Sequence, residues 1–193
     1  MIDNNNRLDL LGFLAKHAKI RGSISELRNK SVSDRQTEID EAVIIGAELT
    51  KWWNEVEEYL ETRSSGTPQI SRYHQVTLVV LRHESIIALN KHTLATSKLN
   101  SAYNAALQNC ISASRSIVTT LHQALETNLD LQSSEAREGS DHAGLLWPSF
   151  TWAVWMSVFL VIYAANECQI SQAAALRYAI ILCCDITYHL RSL

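Results

Sequence analysis

The sequence predicts an all-α fold, a multi-helix bundle with a hydrophobic central helix near residues 148–166. Three observations carry this. Apolar residues recur at three- and four-residue steps along most of the chain, which is the period of a helix turning one face to a core. Two prolines and six glycines among 193 residues are few for an all-β chain with many turns. The run Leu145–Ala165, LLWPSFTWAVWMSVFLVIYAA, holds no charged side chain. A helix apolar on every side belongs either at a protein centre or in lipid.

The first element expected is a short amphipathic helix from Leu8 to Ile20, with Leu10, Leu11, Leu14, Ala15 and Ala18 as its apolar residues. Arg21-Gly22-Ser23 offers a cation in the last turn and a glycine just beyond, a helix stop. Residues 22–34, rich in Ser, Asn and Lys, then read as a loop with a turn of helix around Ile24–Leu27. The clearest helix spans Ser33 to Arg63. Ser33 with Gln36 fits a capping box, and acidic residues crowd the early turns. Ile39, Ala42, Ile45, Leu49, Trp52, Val56 and Tyr59 form its stripe, with Glu41, Glu48, Glu55 and Glu58 expected in water. Gly46 costs up to ~1 kcal/mol if it sits mid-helix, which leaves room for a kink or close packing there. Arg63 to Pro68 ends the element.

Ser71 to about Lys91 follows, with Tyr73, Val76, Val80 and Ile87 available to a core. The β-branched pair Val79-Val80 makes a strand the local competitor, but the length and the lack of alternation favour helix. Asn100–Leu129 carries Tyr103, Leu107, Cys110, Ser114, Ile117, Leu121 and Leu125 on one stripe. A polar loop lies at about 131–143. Pro148 suits the first turn of the next helix. There, Trp152, Trp155, Phe159 and Ile162 make one face, and Phe150, Val154, Val158, Val161 and Ala165 another. Ser171–Leu190 is a last, largely apolar helix. The whole of 1–193 reads as a single helical domain, of a size that can bury a sizeable core.

The oily C-terminal part has a rival reading, an integral membrane protein with spans near 145–165 and 172–190. Twenty helical residues cover ~30 Å, one hydrocarbon core. The flanks argue against it. Asp141 precedes the first run and Glu167 follows it, with no Lys/Arg cluster to set orientation. Trp152 and Trp155 sit inside the run rather than at its ends, and the earlier apolar stripes need a partner.

Net charge is −3, and no basic patch suggests a nucleic-acid partner. Residues 1–63 hold 9 Lys/Arg and 12 Asp/Glu, whereas residues 143–193 hold only Arg177, Arg191, Glu167 and Asp185. The start, MIDNNNRLDLLGFLAKH, lacks a cationic segment followed by an apolar one, so a secretory signal is not expected. The four cysteines, Cys110, Cys168, Cys183 and Cys184, form no C-x-x-C pair and are expected reduced, buried and intracellular.

Chemistry-bearing motifs are sparse. His83-Glu84 opens like the zinc motif H-E-x-x-H, but Ile87 stands where the second histidine is required. His74, His83 and His92 are nine apart, so successive imidazoles on one helix point to opposite sides. Cys183-Cys184 reads as two small buried hydrophobes. There is no G-x-S-x-G, G-x-G-x-x-G or P-loop. Glu57-Glu58 reads as a wet face. No catalytic, cofactor-binding or metal-binding residue is assigned, and the chain is expected not to be an enzyme. A ligand pocket, should one exist, is expected near Trp152, Trp155 and Phe159.

Several segments, taken in order, resemble the regulatory middle homology region of fungal zinc-cluster (Zn2Cys6) transcription factors. Leu49-Thr50-Lys51-Trp52-Trp53, followed by acidic residues and Pro68, looks like the family's helix with leucine before tryptophan. Tyr73-His74 matches its aromatic–His pair, although of the L-H-R-P-x-L segment that follows only Arg82 is matched fully. Cys110-Ile111-Ser112-Ala113-Ser114-Arg115-Ser116-Ile117 is similar to C-x-x-A-A-R-x-I, with Ser114 in place of the second alanine. A polar loop and Trp147-Pro148-Ser149-Phe150 then lead into an apolar helix. The resemblance covers roughly residues 40–190.

What the resemblance implies is an all-helical, nuclear, non-catalytic regulatory domain of an RNA polymerase II transcription factor. Its implied partners are transcriptional co-regulators, other parts of a parent factor, a small-molecule effector or a second copy of the chain, without a membrane. The family's two zinc ions belong to a six-cysteine cluster. Cys110 is the first cysteine here, so no cofactor and no direct DNA contact are expected of this chain. A fragment, a truncated product or a relative without the cluster is the expectation.

Overall fold

The computed structural model describes residues 4–29, 35–62, 72–96, 101–132 and 148–167, with 170, 171 and 177. Every described element is helical: α1 (Asn4–Asn29), α2 (Arg35–Thr62), α3 (Arg72–Thr96), α4 (Ser101–Gln132) and α5 (Pro148–Asn166). The all-α multi-helix bundle is therefore observed. The chain divides into two compact units, Met1–Thr96 and Ser97–Leu193.

In the first unit α1, α2 and α3 each pack on the other two. Trp52 on α2 donates its indole N–H to the Phe13 carbonyl at 2.9 Å, and Lys16 pairs with Glu55 at 2.6 Å. Phe13 packs on Tyr59 and His17 on Trp52, with ring centroids 5.1 and 4.9 Å apart, so rising numbers on α1 meet falling numbers on α2, an antiparallel pair. On the other side of α2, Gly46 lies by Leu89 and Trp53 by Arg82, so α2 and α3 are antiparallel too. The core is built from Ile20, Ile24, Leu27, Ile45, Leu49, Trp52, Trp53, Val56 and Leu78. Every residue of α3 from Tyr73 to Asn90 is buried or half-buried, despite the strand-forming Val79-Val80.

Two expectations need correction here. The first helix does not stop at Arg21-Gly22-Ser23 but runs on to Asn29. Its buried seam is Ile20, Ile24 and Leu27, continuing the line of Phe13 and His17, while Leu11, Ala15 and Ala18 are exposed. Burying Ile24 and Leu27 is worth roughly 1.5–3 kcal/mol each, which outweighs the ~1 kcal/mol that Gly22 costs inside a helix. The expected loop over 22–34 is thus helix as far as Asn29, and residues 30–34, with the Ser33 capping box, lie outside the described residues. The second correction concerns Gly46. A Cβ there would meet Leu89 Cδ2 at 3.7 Å, an ordinary contact, so no close approach requires glycine.

In the second unit α4 packs on α5. The Tyr103 and Tyr163 hydroxyls meet at 2.6 Å, joining the start of α4 to the end of α5 in an antiparallel pair. The expected α4 stripe is buried at Tyr103, Leu107, Cys110, Ser114, Ile117 and Leu121. Small residues at Ala106, Cys110, Ala113 and Ser114 face the same interior. α5 buries Phe150, Ala153, Val154, Ser157, Val161 and Ala164. Its other face stays open: Trp152, Trp155, Phe159 and Ile162 are 60, 54, 60 and 52% exposed. The expectation of a helix enclosed on all sides holds for one face only. No helix among the described residues is long and apolar enough to cross a membrane. Of the last helix expected at 171–190 only residues 171 and 177 are described, and of the polar loop expected at about 131–143 only residues 131 and 132, which belong to α4.

Candidate functional site

Two features stand out from ordinary helix packing. The first is a polar cluster inside the first unit. His17 is 3% exposed on α1, and Ser85 on α3 is fully buried. His17 Nε2 lies 2.9 Å from Ser85 Oγ and 3.1 Å from the Leu81 carbonyl oxygen. A carbonyl only accepts, so Nε2 carries the proton and donates. The imidazole also lies against Trp52, with ring centroids 4.9 Å apart. One turn further along α1, Arg21 donates to Glu84 at 2.9 Å. Burial raises the Glu84 carboxyl above its usual range, with Arg21 pulling it back.

A serine within 2.9 Å of a histidine has the spacing of a nucleophile and its base. The surroundings oppose that use. Ser85 is sealed from solvent, and the nitrogen facing it already bears a proton. Burial holds His17 down at about 4, with Arg21 pushing the same way and the Leu81 hydrogen bond opposing. The geometry makes a latch between α1 and α3. It satisfies an imidazole, a hydroxyl and a carbonyl that would each be costly to bury alone.

His83 is pushed down to about 4 by burial, with Arg82 adding to it, and its Nδ1 has no hydrogen-bond partner among the described residues. Arg82 stacks over Trp53, 4.4 Å from the ring centroid, and burial lowers its own pKa. Cys110 is fully buried, and burial pushes its thiol up to about 12, far from a reactive thiolate. Cys168, Cys183 and Cys184 lie outside the described side chains. Glu57 and Glu58 are exposed. Among the described residues no three His, Cys, Asp or Glu side chains converge to hold a metal ion.

The second feature is the open face of α5. The pocket expected near Trp152, Trp155 and Phe159 is corrected: these side chains stand out from the helix as a ridge, more than half exposed. Trp155 and Phe159 pack on one another with centroids 6.0 Å apart. α5 packs on α4 and buries Phe150, Ala153, Val154, Ser157, Val161 and Ala164, and the aromatic side chains lie on its other face.

No family model, curated protein or solved structure matches this chain. Sequence reasoning missed His17, which lies off the apolar set Leu10, Leu11, Leu14, Ala15 and Ala18 assigned to the first helix. The signal was present: Leu10, Phe13, His17, Ile20, Ile24 and Leu27 follow alternating steps of three and four.

Proposed function

We propose that the chain is a non-catalytic regulatory domain of the fungal zinc-cluster transcription-factor type. In this reading it controls RNA polymerase II transcription in the nucleus through contacts with co-regulators, with a parent factor or with a small effector. The observation that carries the reading is the segment Cys110–Ile117. Its Cys110, Ala113, Ser114 and Ile117 are buried on one side of α4, as the resembled C-x-x-A-A-R-x-I pattern would require if its small residues serve helix packing. The sealed Ser85–His17 pair and the inert Cys110 thiol support a role in binding rather than in bond-making.

The test is a reporter assay. The full chain is fused to an unrelated DNA-binding domain in a fungal host carrying the matching reporter. The proposal expects the fusion to change reporter output at least several-fold relative to the DNA-binding domain alone, with the fusion in the nucleus. Output equal to that of the DNA-binding domain alone, at equal protein level, would refute it. A chain that fractionates with membranes would favour the spanning alternative instead.

A further inference from the structure

The open face of α5 is regularly spaced. Trp152, Trp155, Phe159 and Ile162 are spaced three, four and three residues apart. That is the a/d rhythm by which one helix packs on another. It is also a palindrome about position 157. Turned by a two-fold axis at that level, the ridge meets itself with Trp152 against Ile162 and Trp155 against Phe159. We infer that this ridge is the docking surface for a second copy of the same chain, joined α5 to α5 in antiparallel fashion.

Area and charge both favour that occupant. Aromatic side chains bury about 150–250 Å² each when fully covered. Four large apolar side chains slightly more than half exposed therefore offer about 400–500 Å² per copy. That is the size of the largest apolar patch on a typical monomer, which is often a binding surface. Two copies together would cover about 800–1,000 Å², and the half-buried Met156 and Val158 bring the total to about 1,000–1,200 Å², the lower bound for a specific interface. From Pro148 to Asn166 the helix has no charged side chain, so no like charges meet when it faces its own copy. A two-fold contact needs a patch complementary to itself, and the palindrome supplies one. The inference does not depend on the transcriptional reading.

Sedimentation velocity of the full chain across 1–100 µM, beside the double variant W155E/F159E, tests it. The expected result is a monomer–dimer equilibrium for the parent chain and a monomer with the same helical circular dichroism for the variant. Should the variant misfold, the parent chain still decides: diluting it through the dimer range must shift tryptophan emission to the red as the ridge becomes wet. A parent chain monomeric at 100 µM overturns the inference, as does a dimer that persists in the folded variant. So does a monomer that pellets with phosphatidylcholine vesicles, which would make lipid the occupant, or one whose W155E/F159E variant melts much earlier, which would mean the chain covers its own ridge.

Discussion

Lowering the pH from 7 to 5 should weaken the first unit markedly, through His17. In the unfolded chain this imidazole binds a proton near its ordinary 6.5, whereas in the fold burial holds it at about 4. Between those values the unfolded state binds more protons, so stability falls as pH falls. The contribution is complete above pH 6.5, is lost progressively on acidification, and stops changing once the pH is below about 4. Over the window from pH 7 to pH 5 the linkage relation gives a loss of about 2 kcal/mol for this one group. His83 carries a shift of the same direction and size, so the pair together would cost about 4 kcal/mol if they titrate independently. Glu84 works the other way, because its raised carboxyl gains a proton earlier in the fold than in the unfolded chain. The assay is urea denaturation followed by circular dichroism at pH 7, 6 and 5, for the parent chain and for H17L. The variant loses the latch and is less stable at pH 7, but its pH dependence should shrink by about half. Unchanged stability of the parent chain from pH 7 to 5, or an H17L variant with the full slope, would refute the burial argument.

Three further outcomes follow from local geometry. Gly22→Ala should stabilise the first unit by about 0.5–1 kcal/mol, because α1 is continuous there and nothing lies within 4 Å of the added methyl; thermal melting reads it. Ser114→Ala should raise stability by about 1 kcal/mol, since its hydroxyl is fully buried with no hydrogen-bond partner among the described residues. Tyr163→Phe should lower stability by about 1 kcal/mol. It should also bring Tyr103, which the Tyr163 hydroxyl holds up at about 12, back toward the ordinary 10, as read by ultraviolet titration.

Much of this architecture was legible because helical spacing is a strong signal when the residues are unambiguous. The α4 stripe from Tyr103 to Leu121 was read correctly, residue by residue, because its small and apolar members fall on one side without interruption. The α2 seam at Ile45, Leu49, Trp52 and Val56 was legible for the same reason. α1 was not. A cation followed by glycine is a good stop signal locally, but buried contacts two turns later can override it. His17 was hidden because its value lies in partners contributed by α3, sixty-four and sixty-eight residues away. α5 exposes a different limit. Both of its apolar faces were visible in the sequence, yet spacing cannot say which one meets α4. The buried face mixes the small Ala153, Ser157 and Ala164 with Phe150, Val154 and Val161, whereas the open one carries only large side chains.

The claim on which the account most depends is that α5 locks one face onto α4 and leaves the other free. Comparing the denaturation midpoints of A153D and F159D tests it most directly. A153D, which places a carboxylate on the buried face of α5, should lose at least about 3 kcal/mol, while F159D should stay within about 1 kcal/mol of a monomeric parent chain. The reverse order, with F159D the more damaging of the two, would contradict it.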